Sequence, residues 1–186
     1  PNAKAGGVLR GSYTEEGPTF SNWEESAGPA SFQGHLVANS LIRLQSWGTL
    51  QDWEKGAGTK WWPDLATSWE QSQDGLTYTF KLRDGVKWSD GQPFTCADAK
   101  WSYDAIRTGE DLIRSLRAVQ FLVVKETVCA DPLTLVFKLN QVKPTFLEVV
   151  GLPYQMVKPA HKYKGNGKEM RDKPNIGTGP FVLKEW

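Results

Sequence analysis

Long apolar runs, an excess of charge of one sign, and histidine are scarce in this sequence, and each shortage removes a class of function. No stretch approaches the ~20 apolar residues of a helical membrane span. Lys and Arg number 22 against 21 Asp and Glu, a formal net charge of +1. No run of like charge offsets that balance, so the basic face that nucleic-acid binding requires is missing. Only His35 and His161 are present, neither with a Cys or carboxylate at ligand spacing, which argues against zinc. No Ser or Cys sits in a G-x-S-x-G or similar setting, so a nucleophile and base set is absent. Gly177-Thr178-Gly179-Pro180 is too short for a phosphate cradle and lacks the Lys and Ser/Thr that precede a helix there. It reads instead as backbone that turns tightly or approaches another group closely. No internal repeat or low-complexity segment occurs. The 186 residues, 39% apolar and 23% charged, suit an ordinary globular chain with one good core or two small ones.

The clearest structure in the chain runs from Leu65 to Arg107. Asp74-Gly75 supplies the positive φ that closes a hairpin. Beyond it Tyr78, Phe80 and Leu82 alternate with Thr77, Thr79 and Lys81, the pattern of a half-buried strand. Asp84-Gly85 and Asp90-Gly91 mark two further turns. Thr95 with Asp98 three residues on is a helix start, and Ala99, Tyr103 and Ile106 share one face of the helix that follows.

Elsewhere the reading is coarser. Gly6 to Tyr13 is a short first strand leading into a loop with Glu15, Glu16 and Gly17-Pro18. Val37, Leu41 and Leu44 at helical spacing predict a helix over Ser31 to Leu44. Gln45 to Pro63, with Trp47, Trp53, Trp61 and Trp62 among glycines, reads as an irregular loop. Phe121 to Val128 and Leu133 to Leu139 are two strands joined at Ala130-Asp131-Pro132, with Leu133, Leu135, Phe137 and Leu139 on one face. A short helix is expected over Thr145 to Val150, ended by Gly151 and Pro153. Lys158-Pro159 and Gly165 to Lys168 are expected to form an exposed, mobile crossing, and a strand to follow Pro180. The whole is α/β, with antiparallel hairpins in the middle.

The order Trp69-Glu70, Asp74-Gly75-Leu76-Thr77-Tyr78-Thr79-Phe80, Leu82-Arg83-Asp84-Gly85-Val86-Lys87-Trp88, Asp90-Gly91 and Pro93-Phe94-Thr95 resembles the signature of the extracellular solute-binding protein family 5. Gly177 to Lys184, around Pro180-Phe181, is similar to that family's second recurring motif. The resemblance covers most of residues 41 to 186; the first 40 are only loosely similar. It implies a periplasmic-binding-protein-like fold of type II with an extra subdomain. Residues 1–45 and 161–186 would then be parts of the first ligand-binding lobe and 46–160 the inserted subdomain, a small α/β unit with antiparallel hairpins, the second lobe lying outside the chain. The implied function is capture of a solute, peptide first and oligosaccharide second, for delivery to an ABC permease in the membrane. The resemblance further implies a full-length monomer, without cofactor or metal, in the periplasm or outside the cell. A secretion signal, often ending at a lipid-modified Cys, is expected upstream of Pro1-Asn2-Ala3.

In the family the segment after the first strand borders the ligand cleft, which makes Tyr13, Thr14 and Glu15 site candidates; the alternative is a solvated loop. Trp47, Trp61 and Trp62 are open between packing and stacking on a ligand, since indole is a large apolar plate with one donor. Trp69, Trp88 and Trp101 are expected to pack. A sugar hydrolase is a competing reading, but the adjacent Glu15/Glu16 and Glu24/Glu25 lack the spaced acid and base of glycoside hydrolysis. A stand-alone interaction module is a third. Cys96 and Cys129, at element ends, are either two buried thiols or a bridge, and the oxidising compartment that the family implies favours the bridge.

Overall fold

The computed structural model describes residues 37–44, 61–110, 115–152, 154–172 and 176–182. The first strand and its loop, His35, and most of the indole-rich segment lie outside these residues. Two sheets are present among them. Strands β1 (Ile42–Leu44) and β2 (Trp61–Pro63) form an antiparallel pair. Strands β3 (Ala66–Gln71), β4 (Thr77–Leu82), β5 (Val124–Asp131) and β6 (Thr134–Leu139) form an antiparallel sheet in the order β3-β4-β6-β5.

The hairpin at Asp74-Gly75 forms as its residues require. Gly75 has φ +71°, and the Asp74 carboxylate accepts the Leu76 N–H at 2.9 Å. Those hydrogen bonds, from the Ser72 hydroxyl first and then from Leu76, hold the Asp74 carboxyl below the usual carboxylate range. The inner face of the sheet is the one expected: Tyr78 pairs with Phe137 and Phe80 with Leu135, all buried. Helix α1 (Cys96–Thr108) covers that face. The Asp98 carboxylate accepts the Thr95 N–H at 3.0 Å at its start, and Ala99, Tyr103 and Ile106 point into the core. The Tyr103 ring meets Phe137 at 5.1 Å and Phe121 at 5.6 Å, and burial pushes its hydroxyl well above the usual tyrosine range. Cys96 and Cys129 are joined, tying the first turn of α1 to the edge strand β5.

Three short helices follow, α2 (Phe146–Gly151), α3 (Ala160–Tyr163) and α4 (Gly167–Asp172). Trp88 and Trp101 are buried and Trp69 packs half-buried against the core, as expected.

Five expectations are corrected. Residues 38–44 are not helical: Ile42–Leu44 is a strand. The spacing of Val37, Leu41 and Leu44 mimics a helix, but Leu41 and Ile42 are both fully buried, and the carbonyls of Ser40 and Leu41 accept the N–H groups of Leu65 and Ala66. Tertiary pairing overrides the periodicity. For the same reason the expected loop ends in a strand at Trp61–Pro63. Strand β5 starts at Val124, not Phe121, because Ala118–Phe121 is a 3-10 turn that turns Phe121 inward. Finally, Lys158 and Pro159 are buried rather than exposed. The Ser102 hydroxyl accepts the Lys158 N–H at 2.9 Å and donates to its carbonyl at 3.1 Å, and Asp98 accepts the Ala160 N–H at 2.9 Å. Of the Gly165 to Lys168 part of that crossing, Gly165, Asn166 and Lys168 are exposed and Gly167 is buried. Residues 181–182 are not in a strand, and 183–186 lie outside the described residues.

Candidate functional site

Asp64 fixes the pair of strands that carries two of the candidate indoles. Its carboxylate accepts Asn39 Nδ2 at 2.7 Å, the Ser40 N–H at 3.0 Å and Arg43 Nε at 2.7 Å. Asn39 Oδ1 in turn accepts the Thr178 hydroxyl at 2.9 Å. Segments far apart in sequence are thus clamped at one point by groups that satisfy one another. This arrangement is a support and offers no reactive group.

On the strands so held, the two indoles have different surroundings. Trp61 is half-buried against α2, so close that a β-carbon at Gly151 would meet its ring at 2.2 Å. Trp62 is 49% exposed and stands directly opposite Arg43, whose side chain is also half exposed. Tyr13, Thr14, Glu15 and Trp47 lie outside the described residues.

A second surface was not singled out from the sequence. Leu116, Val119 and Leu122 are 59%, 68% and 65% exposed along the 3-10 turn. Val119 lies within the 3-10 turn and Leu116 and Leu122 on either side of it, a spacing of three that sequence reasoning missed. Phe121, off that row, seats the turn on Tyr103. Next to this row the Arg117 guanidinium lies 4.2 Å over the ring of Tyr154. Gln155, fully buried, donates to Gln120 at 3.5 Å, and its backbone carbonyl accepts the Tyr103 hydroxyl at 3.5 Å. Tyr103 therefore anchors both halves of an apolar ledge that carries one arginine.

Among the described residues no three His, Cys, Asp or Glu side chains gather as a metal site would require. His161 Nε2 lies 2.8 Å from Asp90 Oδ2 and its ring packs on Trp88, a pair at an element junction. Both cysteines are in the disulfide. No helix among the described residues is long and apolar enough to cross a membrane.

The described residues form an α/β unit with a covered antiparallel sheet and exposed aromatic and apolar side chains. The chain belongs to the bacterial extracellular solute-binding proteins, family 5 Middle, whose sequence model matches residues 60–186. Its relatives include a Brucella ovis protein whose name places it among ABC transporter peptide-binding proteins, 37% identical over 129 residues. That alignment covers 66% of this chain and 24% of the relative. The glutathione-binding protein GsiB of Escherichia coli is 37% identical over 125 residues, covering 66% of this chain and 23% of that one. Among solved structures, NikZ from Campylobacter jejuni, in complex with Ni(L-His), superposes with a TM-score of 0.73 at 27% identity, over 92% of this chain and 32% of that chain. The fold is therefore part of a periplasmic binding protein of this family, and the chain spans about a quarter of the length of the curated relatives it matches.

Proposed function

We propose that this chain is part of a substrate-binding protein of an ABC importer, which encloses a short peptide between two lobes and hands it to a membrane permease. The observation that carries the reading is membership of the solute-binding family. The names of two relatives, one peptide-binding and one binding the tripeptide glutathione, support peptide as the solute. An oligosaccharide is the second choice, favoured only by the exposed indole of Trp62. No bond is made or broken in this role.

In this reading residues 1–45 and 161–186 belong to the first lobe and 46–160 to the inserted subdomain. The ties from Asn39 to Thr178 and from Gly179 to Val37 support a common body for the first and last segments. One wall of the cleft would be formed by Tyr13, Thr14, Glu15, Trp47, Trp61 and Trp62, with Trp62 offering the most open surface of the two described. The protein works outside the cytoplasm, in the periplasm or at the cell surface, held there by a lipid anchor, as a monomer. Mass spectrometry of the ligand retained by the full-length protein, purified without denaturation, tests this. Recovery of peptides is expected; recovery of a single sugar species would displace them, and turnover of chromogenic glycosides would replace the receptor by a hydrolase.

A further inference from the structure

Asn166 is the only one of the six asparagines in the sequence that precedes a glycine. It is exposed on the turn between α3 and α4, where Gly165 has φ +79°. Gly167 opens α4, and among the described residues its N–H has no hydrogen-bond partner. The first N–H groups of a helix have no acceptor within it, so the helix does not hold this one. Without a β-carbon, Gly167 also puts no side chain in the way of its own nitrogen.

The Asn166 side chain lies along the same turn. Its Nδ2 donates to Glu169 Oε2 at 2.6 Å, and its backbone carbonyl accepts the Glu169 N–H at 3.1 Å. Lys162 meets the other oxygen of Glu169 at 2.5 Å. The other described asparagines differ. Asn39 is held at both ends of its amide, by Asp64 and by Thr178. Asn140 is exposed but precedes Gln141, whose β-carbon shields the nitrogen that would have to move.

We propose that Asn166-Gly167 is a self-modification site, at which the Gly167 nitrogen closes on the Asn166 side-chain carbon and converts the asparagine to aspartate and isoaspartate. The Gly167 nitrogen gives up its proton and bonds to Cγ, the Cγ–Nδ2 bond breaks, and ammonia leaves carrying that proton. Water then adds to one of the two carbonyls of the cyclic imide. Cleavage on the side-chain side gives aspartate, and cleavage on the main-chain side gives isoaspartate. One water is consumed and one ammonia released, and nothing is oxidised or reduced.

Either product alters the turn. Aspartate at 166 has no donor for Glu169 and sets one carboxylate against another. Isoaspartate adds a carbon to the main chain between α3 and α4, where the Asn166 N–H now donates to the Tyr163 carbonyl at 2.9 Å. Tyr163 and Met170, on either side of the turn, are fully buried, so the displacement reaches the core. The site is independent of the receptor reading above.

The test ages the full-length protein in mildly alkaline buffer, once folded and once in urea, and follows its proteolytic peptides by mass spectrometry. In the folded protein the peptide with Asn166 should gain one mass unit and split into two isomeric products, while the peptide with Asn140 keeps its mass. N166Q, which would need a larger ring, should keep its mass as well, and G167A should convert several times more slowly. Conversion should quicken as pH rises, because the attacking nitrogen must lose its proton. An Asn166 that converts in urea but not in the folded protein would overturn the inference, since the turn would then hold the two groups apart. Conversion of Asn140 as fast as Asn166 would overturn it too, because neither the glycine nor its free N–H would then matter.

Discussion

Gly177 lies so close to Val37 that a β-carbon on it would sit 1.6 Å from the Val37 carbonyl oxygen. The same residue accepts the Ser89 N–H at 2.9 Å, so it joins the 88–91 turn to the segment that precedes β1. G177A should therefore cost about 3 kcal/mol or more, the upper range for overpacking, because the atom displaced is backbone. Urea unfolding of the full-length protein measures this, and a loss under about 1 kcal/mol would mean that the two segments do not touch in solution.

The disulfide closes a loop with a sequence separation of 33 between Cys96 and Cys129. Constraint of the unfolded chain over such a loop is worth roughly 3 to 4 kcal/mol. C96A/C129A should lose about that much in chemical denaturation. Mass measurement with alkylation before and after reduction should find no free thiol in the unreduced protein; two alkylated cysteines there would contradict the bridge.

Lys158 is buried with no carboxylate of the described residues within 4.0 Å, and burial pulls its pKa down to about 8. A lysine whose folded pKa lies below its unfolded value of 10.5 binds fewer protons folded than unfolded between those two pH values. Its penalty is thus full below pH ~8 and is relieved as pH rises toward ~10.5. K158M should be more stable than wild type by up to about 3 kcal/mol at pH 7, with the gap closing at high pH. A gap independent of pH between 7 and 10.5 would show that the amine is not desolvated.

Phe80 is fully buried and meets Phe137 edge to face at 5.7 Å. F80A should cost about 3 to 5 kcal/mol. A loss below about 1 kcal/mol would mean that the sheet presents its other face to α1.

The parts of the fold legible in the sequence were those dictated locally. Asp74-Gly75 closes a hairpin by its own chemistry, and Thr95 with Asp98 starts a helix wherever the rest of the chain goes. What escaped was set by distant partners. Ile42–Leu44 becomes a strand because Trp61–Pro63 lies beside it, and Lys158 is buried because Ser102, more than fifty residues away, clamps its backbone. The ledge at Arg117 was missed for a related reason. Its apolar row begins before the Phe121 to Val128 stretch that reads as strand, in residues given no element in the sequence, and Tyr154 joins it only in three dimensions.

The central claim is that these residues supply one wall of a cleft that needs a second. Clefts of this kind enclose ~70 to 90% of a ligand's surface, so a single wall should hold it weakly. If one wall contributes half of a micromolar binding free energy of about 8 kcal/mol, the dissociation constant rises to roughly millimolar. Calorimetry on residues 1–186 and on the full-length protein, with the ligand that the latter retains, measures this directly. The account predicts micromolar binding by the full-length protein and a constant about a thousandfold weaker for residues 1–186; equal micromolar affinity in both would contradict it and place the whole site within this chain.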